Sequence, residues 1–370
     1  MRKKEKRSGK MSRQPACYQE SKNQINKRDS GIWKAEVMGI LAFGIFLSFP
    51  LLVDYVVVPG NREEFFWQIR RLGEYRFTLP WFFQKAGMSA QNSWKVFVFL
   101  VNLLTAGIVY TTFRDAFAER EESRFFGAFA CVLYVAAPYR LHCLYGRVKL
   151  DVVLVYGILP LIFRGGKLMI KWFKKENTQK EEWLKICAFG IPAAFFFVYH
   201  LVALRCGVFD WNFLTAGSPE ELGCGWNYGK LGIGTGNLLG CALWLFLFAK
   251  RGKGDSRTGN PEGGRAFVLW LLCAVLGSLQ TGGGMLWLIP SSLFGAITAS
   301  CALEELSREE RNEQGNGLME MTWRGAFWLI TCVHLILSAY SLNRVLLEGK
   351  EIIRFEETQE LDAGNEGIPY

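Results

Sequence analysis

Two stretches of the 370-residue chain carry residue types whose spacing could do chemistry. The first is 54–76. It holds Asp54, then Glu63 and Glu64 inside Pro59-Gly60-Asn61-Arg62-Glu63-Glu64-Phe65-Phe66-Trp67-Gln68-Ile69-Arg70-Arg71. A carboxylate with a raised pKa in a partly dry site can act as general base toward an acceptor hydroxyl. The same residues also suit a solvated amphipathic segment lying on a membrane surface. The second stretch is 138–151, Pro138-Tyr139-Arg140-Leu141-His142-Cys143-Leu144-Tyr145-Gly146-Arg147-Val148-Lys149-Leu150-Asp151. Arg140, Arg147 and Lys149 fall close together, and guanidinium groups match phosphate oxygens with a planar fork of donors. A lipid phosphate or pyrophosphate is one partner for them. Snorkelling of the long side chains to ordinary lipid headgroups is the other reading.

Other chemistries find less support. His200 and His334 are the main ionisable residues inside apolar runs, and a lone helical histidine is more often a hydrogen-bonded packing residue than a proton relay. The ten cysteines include no CxxC pair, and no His/Cys/Asp cluster has metal-ligand spacing. Most cysteines lie in apolar runs, where they act as small hydrophobes. Cys206 and Cys224 share one loop and are the pair that a disulfide would join. No Gly-x-Ser-x-Gly marks a serine hydrolase. Gly232-Ile233-Gly234-Thr235-Gly236 lacks the strand context of a nucleotide loop. Gly232, Gly236 and Gly240 instead have the four-residue spacing that lets a second helix approach closely.

The elements that must position these residues are apolar blocks. Half of the chain is hydrophobic and the mean hydropathy is +0.12. The blocks fall at 35–58, 95–113, 125–139, 150–163, 184–204, 231–249, 266–280, 284–303 and 325–345. Blocks near 20 residues span a hydrocarbon core of about 30 Å. The reading is an all-α polytopic helical bundle of about nine transmembrane helices, within a range of about eight to ten. The blocks at 125–139, 150–163 and 266–280 are short, and either extend into their flanks or insert only partway.

Charge sets the orientation. The net charge is +9, which in a membrane chain reflects Lys and Arg in cytoplasmic loops. Nothing resembling a nucleic-acid-binding motif accompanies it. Residues 1–34 hold eleven Lys/Arg and read as a disordered cytoplasmic tail ahead of an uncleaved first span. Loops 164–183 and 250–265 are basic, whereas 205–230 has only Arg205 and Lys230. The tail 346–370 has two basic and seven acidic residues. This places the N-terminus inside, a membrane domain over 35–345, and an acidic extracytoplasmic tail over 346–370. Loop 59–94, with several arginines on the outer side, is the weakest fit.

At these residues the chain resembles a known group. Ser93-Trp94-Lys95-Val96-Phe97-Val98, Leu133-Tyr134, Pro138-Tyr139-Arg140-Leu141, Tyr145, Arg147 and Leu159-Pro160-Leu161 are similar to the pattern of YfhO-like bacterial membrane proteins, including those called 6-pyruvoyl-tetrahydropterin synthase-related. Weaker echoes are Pro59-Gly60, Gly277-Ser278-Leu279-Gln280 and Gly364-Asn365-Glu366 with Pro369. The resemblance implies a GT-C-like fold and a membrane glycosyltransferase. Such an enzyme moves a sugar from a polyprenyl-phosphate-linked donor to a cell-envelope acceptor on the outer face. It also implies that Glu63, Glu64 or Asp54 serves as base, with Asp151 the acid retained near the family's Gly-Glu pair. Arg140 and Arg147, with Tyr139 and Tyr145 beside them, would face the donor phosphate. The chain departs from the pattern at Asn61, Arg62 and Phe66, near a family Gly-His-Asp, and at Cys143, in place of an Asp. These departures suit a second reading, a non-catalytic membrane scaffold in envelope polysaccharide synthesis. A lipid or polysaccharide transporter would need a polar pathway that the apolar spans hardly offer. No cofactor is implied beyond the lipid-linked donor, and the need for a metal stays open.

Overall fold

The apolar blocks form helices in the computed structural model. It describes residues 34–51, 55–57, 62–116, 123–146, 150–173, 184, 186–205, 235–251, 261–278, 287–312, 320–348 and 352–354. The chain divides into two compact units, Met1–Phe43 and Gly44–Tyr370. Of the first, the described residues 34–43 are helical. The expected basic tail otherwise lies outside the described residues.

In chain order the elements are α1 (Lys34–Leu51), β1 (Tyr55–Val57), α2 (Arg62–Glu74), α3 (Leu79–Lys85), α4 (Ala90–Ala116), α5 (Ser123–Val135), α6 (Pro138–Leu141), α7 (Leu150–Phe173), α8 (Ile191–Arg205), α9 (Thr235–Arg251), α10 (Pro261–Ser278), α11 (Leu288–Asn312), α12 (Glu320–Glu348) and β2 (Ile352–Arg354). Single π-helical turns follow α6, at His142–Gly146, and precede α8, at Ile186–Gly190. The described residues are therefore helical, with turns between the helices and one two-stranded antiparallel ribbon. Its register pairs Tyr55 with Arg354, Val56 with Ile353 and Val57 with Ile352. The ribbon ties the segment after α12 to the segment after α1, so both leave the bundle at the same end.

Among the described residues, four helices are long and apolar enough to cross a membrane: Lys34–Leu51, Ala90–Asp115, Leu150–Ile170 and Cys187–Leu204. The bent pair Arg124–Val135 and Pro138–Tyr145 makes a fifth if it is one broken span. The short block at 125–139 thus continues as helix beyond a bend, either as a broken span or as a re-entrant segment. The block at 150–163 also lengthens, and Arg164 and Lys167 within it find acidic partners. Arg164 Nη2 meets Asp115 Oδ2 at 2.6 Å, and Lys167 Nζ meets Glu262 Oε2 at 2.8 Å. The remaining blocks form α9 to α12. In α9 the apolar part is the shorter Asn237–Ala249, and α11 ends in the charged run Glu304, Glu305, Arg308, Glu309, Glu310.

Polarity is arranged inside out. Ser48, Asn102, Thr105, Ser291, Ser292, Thr298 and Ser300 are buried, whereas Phe195, Phe246, Phe248, Trp328, Leu329 and Ile336 are exposed. An exposed apolar surface of this extent needs a cover. Three of these hydroxyls return their hydrogens to their own helices: Thr105 Oγ1 donates to Val101 O at 2.7 Å, Ser292 Oγ to Leu288 O at 2.9 Å and Thr298 Oγ1 to Phe294 O at 2.9 Å.

Small residues set the closest helix approaches. A Cβ built at Gly240 in α9 would fall 2.8 Å from Ala299 Cα in α11, and nearer still to its Cβ. The spacing seen in the sequence therefore has its packing partner at Gly240. Gly157 in α7 lies against the Phe197 ring of α8 in the same way. Gly107 in α4 faces open space. Gly240→Ala is expected to push α9 off α11 and cost about 1–3 kcal/mol. Gly107→Ala should cost nothing, or stabilise slightly. Melting temperatures of the two purified variants in one detergent check the contrast.

Candidate functional site

Pro138 makes the break around which the site is built. A proline has no N–H to donate and restricts the residue before it. Helix α5 ends at Val135, and the chain re-enters helix at Pro138 with a bend of 49°. The break strands carbonyls at the end of α5. Arg140 Nη1 donates to one of them, Val135 O, at 3.0 Å. The cation thereby also sits at the negative end of the α5 dipole.

The other arm of the guanidinium reaches α4. Arg140 Nη2 donates to Asn102 Oδ1 at 2.7 Å, and Asn102 Nδ2 donates to Ser48 Oγ of α1 at 3.0 Å. Arg140 is 0% exposed. Its Nε is buried without a hydrogen-bond partner, and among the described residues no ion pair to it forms. Tyr145, Tyr156, Tyr134 and Cys131 lie around it. The tyrosine hydroxyls are committed elsewhere. Tyr134 OH donates to Tyr156 O at 2.9 Å, Tyr145 OH to Leu47 O, and Tyr156 OH shares a hydrogen with Ser292 Oγ at 3.4 Å. A guanidinium offers five N–H donors, and these bonds use two.

Helix α7 begins beside this cluster. Its first N–H groups are capped twice. Leu150 N–H donates to Gln68 Oε1 at 3.3 Å, and Val152 N–H to Asp151 Oδ1 at 2.8 Å. Gln68 and Asp151 are both buried, and an acid in the first turn suits the positive end of the helix. Asp151 also lies near Tyr139, a half-buried residue of α6.

The two stretches singled out in the sequence thus meet, through Gln68 and Leu150. The structure brings Tyr139, Arg140, Tyr145 and Asp151 into one region. It places Arg140 inside the bundle, bound to Asn102, and not at a headgroup surface. Glu63 and Glu64 occupy the first turn of α2, about one turn before Gln68, and their side chains lie outside the described residues. Asp54, Arg147, Lys149, Cys206 and Cys224 lie outside them altogether. His200 behaves as a packing histidine. Its Nε2 accepts from Leu79 N–H at 3.1 Å, so its Nδ1 carries the proton and donates to Phe196 O at 2.8 Å. Sequence reasoning missed Ser48, Gln68 and Asn102. The signal for Asn102 was available, an amide inside Phe99-Leu100-Val101-Asn102-Leu103-Leu104, where a polar side chain needs a partner.

Comparison of the chain with protein-family models, with curated proteins and with solved structures finds no match. The class defined here is a helical protein with several helices able to cross a membrane and a buried arginine at a helix break. The resemblance of 94–163 rests on its own residues.

Asn102→Ala removes the acceptor of a buried charged donor. It should destabilise the protein by roughly 2–4 kcal/mol, read as a lowered melting temperature in detergent. Asn92→Ala, on the exposed first turn of the same helix, should leave that temperature unchanged.

Proposed function

We propose that the protein is a polytopic membrane enzyme that transfers a sugar from a polyprenyl-phosphate-linked donor to a cell-envelope acceptor on the outer face. The observation that carries the reading is Arg140, a fully buried guanidinium with an unfilled Nε and no ion pair among the described residues. A charge held in a low-dielectric interior calls for a compensating anion, and a phosphate oxygen fits a guanidinium N–H.

In the proposed step the acceptor hydroxyl oxygen attacks the anomeric carbon. The bond from that carbon to the donor phosphate oxygen breaks, and polyprenyl phosphate leaves with the electron pair. Arg140 and Arg147 stabilise the charge that develops on the leaving group, with Tyr139 and Tyr145 at its side. The acceptor proton goes to a carboxylate. Asp151 is the described candidate for that base, and Asp54, Glu63 and Glu64 remain alternatives on the first stretch. About nine crossings, with the N-terminus inside and the C-terminus outside, are part of the same proposal, supported by the loop charges.

A non-catalytic scaffold is favoured by one feature of the same residue: both Nη atoms of Arg140 are spent on protein acceptors. Asn102→Asp separates the readings. It sets a carboxylate beside Arg140 and neutralises it from within, while Ser48 can still donate to position 102. The chromosomal gene is deleted, and surface glycans are compared by mass spectrometry after complementation at matched expression. Wild type should restore the missing sugar. Asn102→Asp, Asp151→Asn and Glu63→Ala/Glu64→Ala are then scored singly. Loss with Asn102→Asp supports Arg140 as the phosphate partner, and full restoration by all of them leaves the scaffold. Loss with one carboxylate variant names the base, expected as a fall in transfer of about 100-fold or more.

A further inference from the structure

The segment between α2 and α4 has features that sugar transfer does not use. Phe77 has φ +66°, a left-handed conformation that a bulky L-residue adopts only when its surroundings hold it there. The surroundings here do so from three directions. Thr78 caps α3, accepting from Trp81 N–H at 3.2 Å, while its own hydroxyl turns to Leu72 O and Tyr75 O. Tyr199 OH of α8 donates to Arg76 O, and His200 Nε2 accepts from Leu79 N–H. This clamped turn displays its aromatic rings outward. Phe77 is 65% exposed and Phe82 48%. The rings of Phe77, Trp81 and Phe82 contact one another at 5.0–6.3 Å between centroids. Burying rings would be the ordinary use of such residues, so a turn strained to expose them points to something outside the chain.

Charge identifies what that is. Residues 67–95 contain Arg70, Arg71, Arg76, Lys85 and Lys95 against one acid, Glu74. Arg76 and Lys85 flank the ring cluster and are both exposed. Among the described residues neither makes an ion pair. Basic residues on the outer side run against the usual loop statistics, so their presence calls for a local anion. Aromatic rings seat at the level of lipid headgroups, and flanking cations pair with headgroup phosphates. We infer that Arg76, Phe77, Trp81, Phe82 and Lys85 form a docking plate for anionic phospholipid headgroups of the membrane around the protein. The plate is distinct from the Arg140 site; the inference rests on the outward placement of this segment proposed above, but not on the sugar-transfer chemistry.

The test is photocrosslinking of the full-length protein in nanodiscs. One set carries a diazirine-labelled phosphatidylglycerol, the other the same label on phosphatidylcholine at equal mole fraction. Crosslinked peptides covering 76–85 are quantified by mass spectrometry. Wild type should crosslink the anionic lipid in clear excess. A basic residue near an anionic surface is worth roughly fivefold in partition, so Arg76→Gln/Lys85→Gln should cut that excess at least about fivefold. Phe82→Ser should lower crosslinking to both lipids. Equal yields from the two lipids in wild type, absence of crosslinks at 76–85, or an excess that survives the double glutamine variant would each overturn the inference. So would loss of the excess when inorganic phosphate is added at constant ionic strength, which would mark a free-phosphate site instead. Because the readout is lipid contact and not glycan composition, its failure is distinguishable from failure of the transfer reading.

Discussion

Among the described residues, the packing centres on one buried guanidinium, that of Arg140. A guanidinium removed from water is tolerable only when its N–H groups are met and its charge is offset. Here the proline break supplies the first need, because it frees Val135 O within reach of a residue five positions later. Asn102 supplies the second contact and passes it on to Ser48. One chain of three hydrogen bonds therefore fixes the spacing of α1, α4 and the α5–α6 break. Tyr145 repeats the connection from the π-helical turn to α1, through Leu47 O. The packing of Tyr134 and Tyr156 beneath it, with rings 5.2 Å apart, keeps the region dry.

The opposite end of the helices treats charge differently. Asp115 meets Arg164, Lys167 meets Glu262, and Arg308 reaches Glu304 and Glu305. Partly exposed pairs such as Lys167–Glu262 contribute little individually. The Arg308 contacts matter more, because Glu304 and Glu305 are almost wholly buried, and an unpaired buried carboxylate would be costly. The ionic contacts at that end join α4 to α7 and α7 to α10. They are structural ties between helices, and among the described residues Arg140 has no such tie.

Much of this was legible in the sequence and some was not. Apolar blocks gave the helices, since backbone groups in an apolar setting must be satisfied within the segment. They misjudged lengths, because the charges at 164 and 167 look like a loop until Asp115 and Glu262 are placed beside them. The cluster at 138–151 was visible as a set of unusual residues. Its geometry was not: spacing along the chain cannot show that Arg140 turns inward to an amide 38 residues earlier. The convergence of the two stretches was equally hidden, since it hangs on Gln68, an unremarkable amide until Leu150 N–H needs an acceptor. His200 was read correctly from the rule that lone helical histidines pack. The three-ring cluster at 77–82 was not visible, because a positive φ leaves no mark in the sequence.

The caps on α7 bear on where an anion can sit. A helix N-terminus is ordinarily an anion site, with free N–H groups and a positive dipole end. In α7 that place is taken: Gln68 fills Leu150 N–H and Asp151 fills Val152 N–H. Among the described residues near this end of α7, the guanidinium across the break is the group that keeps an unfilled N–H. The cap also keeps the acid occupied with its own backbone, and no ion pair between Asp151 and Arg140 forms. Had the two closed on each other, the region would hold a neutral buried pair; instead Arg140 is held at a helix end and Asp151 at a helix start.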